Sequence, residues 1–89
     1  MADVEWTRRA TKQWLALPLP DRARIAAAVD GLEAWPACRG IKALSGRDGY
    51  RLRVGRFRVL FTVRRGAPVV VRIEEVKKRN ERTYSASNH

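Results

Sequence analysis

The sequence holds one cysteine and one histidine in 89 residues, and that scarcity excludes several chemistries. Cys38 has no partner for an internal disulfide, and without a second cysteine or a histidine cluster it cannot anchor a zinc site. His89 is the last residue, so it reads as part of a frayed tail and carries no chemistry. Long apolar runs are missing too: the stretches Ala26 to Val29 and Val69 to Val71 fall far short of the roughly 20 residues a membrane helix needs. The opening Met-Ala-Asp-Val-Glu-Trp carries acids where a secretory signal would carry bases ahead of an apolar segment. These absences predict a soluble cytoplasmic protein with no metal, no cofactor and no membrane partner. The remaining shortage is of negative charge, with nine acids against nineteen lysines and arginines and a net charge of +10.

The excess charge is not spread evenly. Residues 1–38 balance five basic residues (Arg8, Arg9, Lys12, Arg22, Arg24) against five acids. Residues 39–82 hold fourteen lysines and arginines against Asp48, Glu74, Glu75 and Glu81, so the whole +10 lies there. A one-sided basic region is the footprint of a polyanion binder and predicts salt-sensitive association. The length and a 45% apolar content fit one core, and we expect a single domain over residues 1–84 with a disordered tail at 85–89.

Hydrophobic spacing divides the chain in two. Residues Ala2 to Trp6 read as a strand, and Thr7 is a good N-cap for a helix carrying Ala10, Trp14 and Leu17. Pro18 and Pro20 stop it, and a first-turn proline with Asp21 beside it favours a second helix whose stripe is Ile25, Ala28, Val29 and Leu32. Pro36 ends that one. Trp6, Trp14 and Trp35 all fall in this half of the chain and supply core or partner-facing bulk.

After residue 49 the period becomes two. Tyr50, Leu52 and Val54 alternate with Arg51 and Arg53; past a Gly55 turn, Phe57, Val59, Phe61 and Val63 alternate with Arg56, Arg58, Leu60 and Thr62. A turn over residues 64–68 leads to a third strand from Val69 to Val76. The expected fold is α+β: a two-helix hairpin on one face of a small twisted antiparallel sheet, in the order β-α-α-β-β-β, with a short basic segment after it. The uncovered face would then carry Arg51, Arg53 and Arg58 together. Like charges that close oppose folding, which makes sense if they hold phosphates through bidentate guanidinium contacts. Tyr50 is in phase with the core. Glu74 and Glu75, as neighbours on a strand, should point to opposite faces and neutralise nearby arginines rather than work as a carboxylate pair.

The ordered set of residues 41–46 (IKALSG), 49–61 (GYRLRVGRFRVLF), Arg72-Ile73, the basic cluster at Val76-Lys77-Lys78-Arg79 and finally Tyr84 resembles the RelE/ParE toxins of type II toxin–antitoxin systems, more closely the RelE-like ones, over nearly the entire chain. RelE-like members are ribosome-dependent mRNA endonucleases that inhibit translation without a metal; ParE-like members inhibit DNA gyrase on the same scaffold. The resemblance implies an active surface of Arg51, Arg53, Arg58, Lys78 or Arg79, and Tyr84, with Arg47, Arg56, Lys77 and Arg82 as further RNA contacts. It also implies a cognate antitoxin, the ribosome and its mRNA as partners (DNA gyrase on the ParE reading), and operator DNA reached through the antitoxin. The pattern departs from RelE in having arginines at 51 and 53 where that family places lysines. Because arginine keeps its proton throughout the physiological range, Arg51 suits charge stabilisation. Proton transfer falls to a lysine of depressed pKa, Lys77 or Lys78, or to the Tyr84 phenol, which has stacking and packing as its alternative roles.

Overall fold

The computed structural model describes residues 1–79. Its first element is β1 (Asp3–Trp6), and Thr7 turns the chain into α1 (Arg8–Leu15). Thr7 is extended, and its hydroxyl oxygen accepts from the Ala10 amide at 3.1 Å, satisfying one of the helix's free N–H groups. The proline-bounded α2 (Leu19–Asp30) continues into a short 3-10 turn at Gly31–Ala34 before Pro36. Ala10, Ile25, Val29 and Leu32 are the buried face of this half, as their helical spacing predicts.

The second half supplies β2 (Ile41–Ala43), β3 (Tyr50–Val54), β4 (Phe57–Arg64) and β5 (Val70–Lys78). Together the strands make a five-stranded sheet in the order β1-β5-β4-β3-β2. β3, β4 and β5 pair antiparallel, as expected, and β2 adds a fourth antiparallel strand beside β3, but β1 joins β5 in parallel, so the sheet is mixed. The sequence also gives no warning of β2, whose three residues are too short for an alternating pattern. Its place is set by Gly49, whose carbonyl accepts from the Leu44 amide at 3.0 Å and closes the β2–β3 connection.

Phe61, Ile25, Leu32, Ile73, Val29, Val59 and Val71 are the fully buried large side chains, drawn from both helical and sheet segments. Tyr50 stacks on Phe61 with ring centres 5.5 Å apart, and Trp35 meets Tyr50 edge-on at 4.7 Å. Tyr50 is therefore a packing residue. Trp6 and Trp14 contact each other at 5.7 Å, and the Trp14 indole N–H donates to the Arg22 carbonyl at 2.9 Å. One face of the sheet is thus sealed by aromatic and aliphatic packing, which leaves the other for charge.

Candidate nucleic-acid interface

Strand pairing fixes which side chains share that other face. On β4, Phe57, Val59 and Phe61 are buried in the core while Arg58 is exposed, so Arg58, Leu60 and Thr62 point away from the helices. Arg53 pairs with Arg58, and Arg58 pairs with Lys77. Three cations from three adjacent strands therefore lie in one transverse row, each about 4.8 Å from the next in backbone spacing. A second row runs Lys42, Arg51, Leu60, Glu75. Further along, Thr62 pairs with Arg72, and Arg72 with Glu5 of β1. The face grades from wholly cationic near the β3–β4 turn to mixed charge at the far end.

The β3–β4 turn is two residues long, and Gly55 has φ +58°. A glycine first in a two-residue hairpin loop gives a twist that keeps the strands in register, and that register sets Arg53 opposite Arg58. Beyond the turn, the Arg79 amide donates to the Arg56 carbonyl at 2.6 Å, so the basic cluster is tied to the same end of the sheet. Among the described residues the ion pairs are Arg9–Glu75 at 3.5 Å, Arg72–Glu74 at 3.6 Å and Lys77–Glu75 at 3.9 Å. None of these involves Arg51, Arg53, Arg58 or Lys78.

One expectation is corrected here. The β4–β5 register jumps between Leu60↔Glu75 and Phe61↔Ile73, leaving Glu74 as an extra residue on β5. This bulge breaks the alternation, so Glu74 and Glu75 both lie on the open face. Glu74 accepts from the Thr62 hydroxyl at 3.0 Å, and Glu75, opposite Leu60, reaches Lys77 and Arg9. Each still neutralises a neighbouring base, as expected.

The predicted site residues divide by position. Arg51, Arg53, Arg58 and Lys77 share the open face, and Arg56 forms the turn at its edge. Lys78 pairs with the core residue Phe57 and so lies on the helix side, away from the row. Arg47 sits in the β2–β3 connection, at the opposite end of β3. Arg79 belongs to the turn end, with its side-chain Nε buried and without a hydrogen-bond partner among the described residues. Tyr84 and Arg82 lie outside the described residues. Sequence reasoning missed Lys42, which becomes a neighbour of Arg51 only through β2, and Glu75, which reaches this face only through the bulge. Burial pushes the Cys38 thiol up from its ordinary value, which keeps it protonated at neutral pH and unsuited to act as a nucleophile. Among the described residues no group of three or more histidines, cysteines or acids could hold a metal, and no helix is long and apolar enough to cross a membrane.

No protein-family model and no curated protein matches the sequence. Solved structures do. A chain of the RelBE2 toxin–antitoxin complex from Mycobacterium tuberculosis is 25% identical with a TM-score of 0.74, the match covering 86% of this chain and 96% of that one. A chain of the RelE–RelB complex from Pyrococcus horikoshii is 26% identical with a TM-score of 0.71, covering 90% and 97%. The isolated RelE toxin of Escherichia coli is 23% identical with a TM-score of 0.71, covering 97% and 95%, a likeness of fold. The resemblance carried by the basic hairpin thus has its counterpart in three dimensions: this chain is RelE-like, with the α+β fold of the RelE toxins.

Proposed function

We propose that this protein is the toxin of a toxin–antitoxin pair and that it inhibits translation by cutting mRNA held on the ribosome. The observation that carries this is the transverse row Arg53–Arg58–Lys77 on the uncovered sheet face. Cations in that register repel one another and oppose folding, and a phosphate between them removes the repulsion.

The reaction that suits such a row is attack of a ribose 2′-hydroxyl on the adjacent phosphorus. The new P–O bond forms as the bond to the 5′-oxygen breaks, giving a cyclic or 3′ phosphate and a 5′-hydroxyl. Arg53 and Arg58 would hold the non-bridging oxygens and take up the charge that develops on them. The proton leaving the 2′-oxygen and the one reaching the 5′-oxygen need a group with an exchangeable proton. The Lys77 ammonium would supply the proton that reaches the 5′-oxygen, and the Tyr84 phenol, outside the described residues, is the candidate that in its deprotonated form takes the proton leaving the 2′-oxygen. A positioned substrate supplies much of the remaining acceleration, which is how a ribosome could complete a site with no histidine.

An antitoxin fits the same reading. RelE is solved in complexes with RelB from Mycobacterium tuberculosis and Pyrococcus horikoshii, and an acidic partner segment would neutralise the open face and cover the β1 or β2 edge. The lack of any histidine besides the terminal His89 and the arginines at 51 and 53 favour a second reading, a gyrase inhibitor without nuclease chemistry.

One pair of assays separates these. Purified protein is added to a translation reaction with mRNA ends mapped by primer extension, and to gyrase with supercoiling scored on a gel. New mRNA ends only in the presence of ribosomes support the proposal. Intact mRNA with blocked supercoiling replaces it with the second reading.

A further inference from the structure

The bulge on β5 raises the question of what holds it and what it delivers. Around the bulge, Thr7 and α1 bond to β5 backbone groups on the side that faces β1 rather than β4. Thr7 donates from its amide to the Ile73 carbonyl at 3.1 Å and from its hydroxyl to the same oxygen at 2.9 Å. The Val76 amide, past the end of β1, donates to the Gln13 side-chain oxygen at 2.7 Å. Glu74 is fixed on its outer side by the Thr62 hydroxyl and Arg72. The bulge is thus gripped from both edges.

Its effect is a change of phase. Val71 and Ile73 point into the core; strict alternation would send Glu75 and Lys77 after them, burying a carboxylate and an ammonium. With Glu74 inserted, Val76 fills the core, while Glu75 and Lys77 turn to the open face, opposite Leu60 and Arg58. Glu75 is the least exposed charged side chain of the ion pairs, at 14%, and lies between Arg9 of α1 and Lys77, whose side chain is 57% exposed.

We propose that Glu75 is a positioning residue that holds the Lys77 ammonium beside Arg58, with the Glu74 bulge as the device that brings both to the cationic face. Lysine carries a compact charge on a flexible stem with little orientation of its own. Beside two guanidinium groups it would swing out to solvent. A carboxylate two residues back on the same face, itself held by Arg9, keeps the amine within the row. The use of that position in cleavage rests on the proposed function; the contact itself does not.

Glu75→Gln tests this because positioning and charge predict opposite signs. Removing a negative charge from a cationic face tightens binding of a non-cleavable 2′-O-methyl RNA oligonucleotide, while loss of the Lys77 anchor slows ribosome-dependent cleavage by about tenfold. Side-chain NMR of 15N-labelled lysine reads the anchor directly: the Lys77 Nζ signal is distinct in the native protein and in the variant merges with those of other exposed lysines. Lys77→Ala alone and together with Glu75→Gln should impair cleavage equally, since Glu75 acts through Lys77. Weakened RNA binding together with slowed cleavage marks a merely structural residue and overturns the proposal, as does an unchanged Lys77 signal. If the native protein cuts no mRNA, the functional reading fails, and the Lys77 signal still decides whether Glu75 positions the lysine.

Discussion

At the scale of single residues, Arg58 is the centre of the cationic row, with Arg53 on one side and Lys77 on the other. Directly opposed like charges in a sheet are destabilising, by an amount comparable to the ~0.2–1 kcal/mol of a favourable pair. Arg58→Ala should therefore raise stability by a few tenths of a kcal/mol on that scale, seen as a higher urea midpoint. The same substitution should abolish RNA cleavage, so stability and activity move in opposite directions. Arg72 is an internal contrast: it is paired with Glu74 at the mixed-charge end, and Arg72→Ala should leave cleavage near the native level. Cys38 is predicted to be chemically quiet. Its thiol is pushed up by burial, so at neutral pH the folded protein should react with iodoacetamide more slowly than the urea-unfolded chain does. Equal rates would show that the thiol is as available as in the unfolded chain.

At the scale of elements, the sequence was legible wherever a segment's pattern reflects its own two faces. The 50–54 and 57–63 alternation assigned Arg51, Arg53 and Arg58 to a common side, and Gly55 assigned the turn between them. Thr7 and the proline pair marked both helices for local reasons of capping and backbone restriction. Contacts between distant segments left weaker traces. The parallel match of β1 with β5 depends on residues nearly seventy positions apart, and β2 is defined by its partner rather than by its composition. The bulge did leave a signal, because the buried residues Val71, Ile73 and Val76 are spaced by two and then by three. Read as a strict alternation, the strand separates Glu74 from Glu75 and does not show that Glu75 and Lys77 turn to the open face. The clamp on the bulge gives an element-scale prediction. Gln13→Ala leaves the Val76 amide without its acceptor and should cost about 1–3 kcal/mol of stability if water cannot replace it. Urea unfolding measures the loss, and faster hydrogen exchange at Val76 would place it at the bulge.

At the scale of the whole molecule, the charge of +10 lies entirely downstream of residue 38, and the fold gathers part of it on a face that the helices leave bare. Charge of one sign gathered in this way repels itself and, on the proposed function, attracts a polyanion. Added salt should raise its melting temperature by screening internal repulsion, since the screening length is about 8 Å at physiological ionic strength. The same salt should weaken RNA binding, with log affinity falling linearly against log salt concentration. Each cation removed from the Arg53–Arg58–Lys77 row should make that slope shallower by about 0.7 for single-stranded RNA. Substituting Arg47, at the far end of β3, should affect cleavage less than any of the three, because it stands apart from the row.

The most direct test of the central claim, that this row is the site acting on RNA, is primer-extension mapping of mRNA from a translation reaction containing the native protein, Arg58→Ala or Arg72→Ala. The account predicts ribosome-dependent cuts with the native protein and Arg72→Ala, and none with Arg58→Ala while that variant remains folded. Cuts that persist in Arg58→Ala, or mRNA left intact by the native protein, would contradict it.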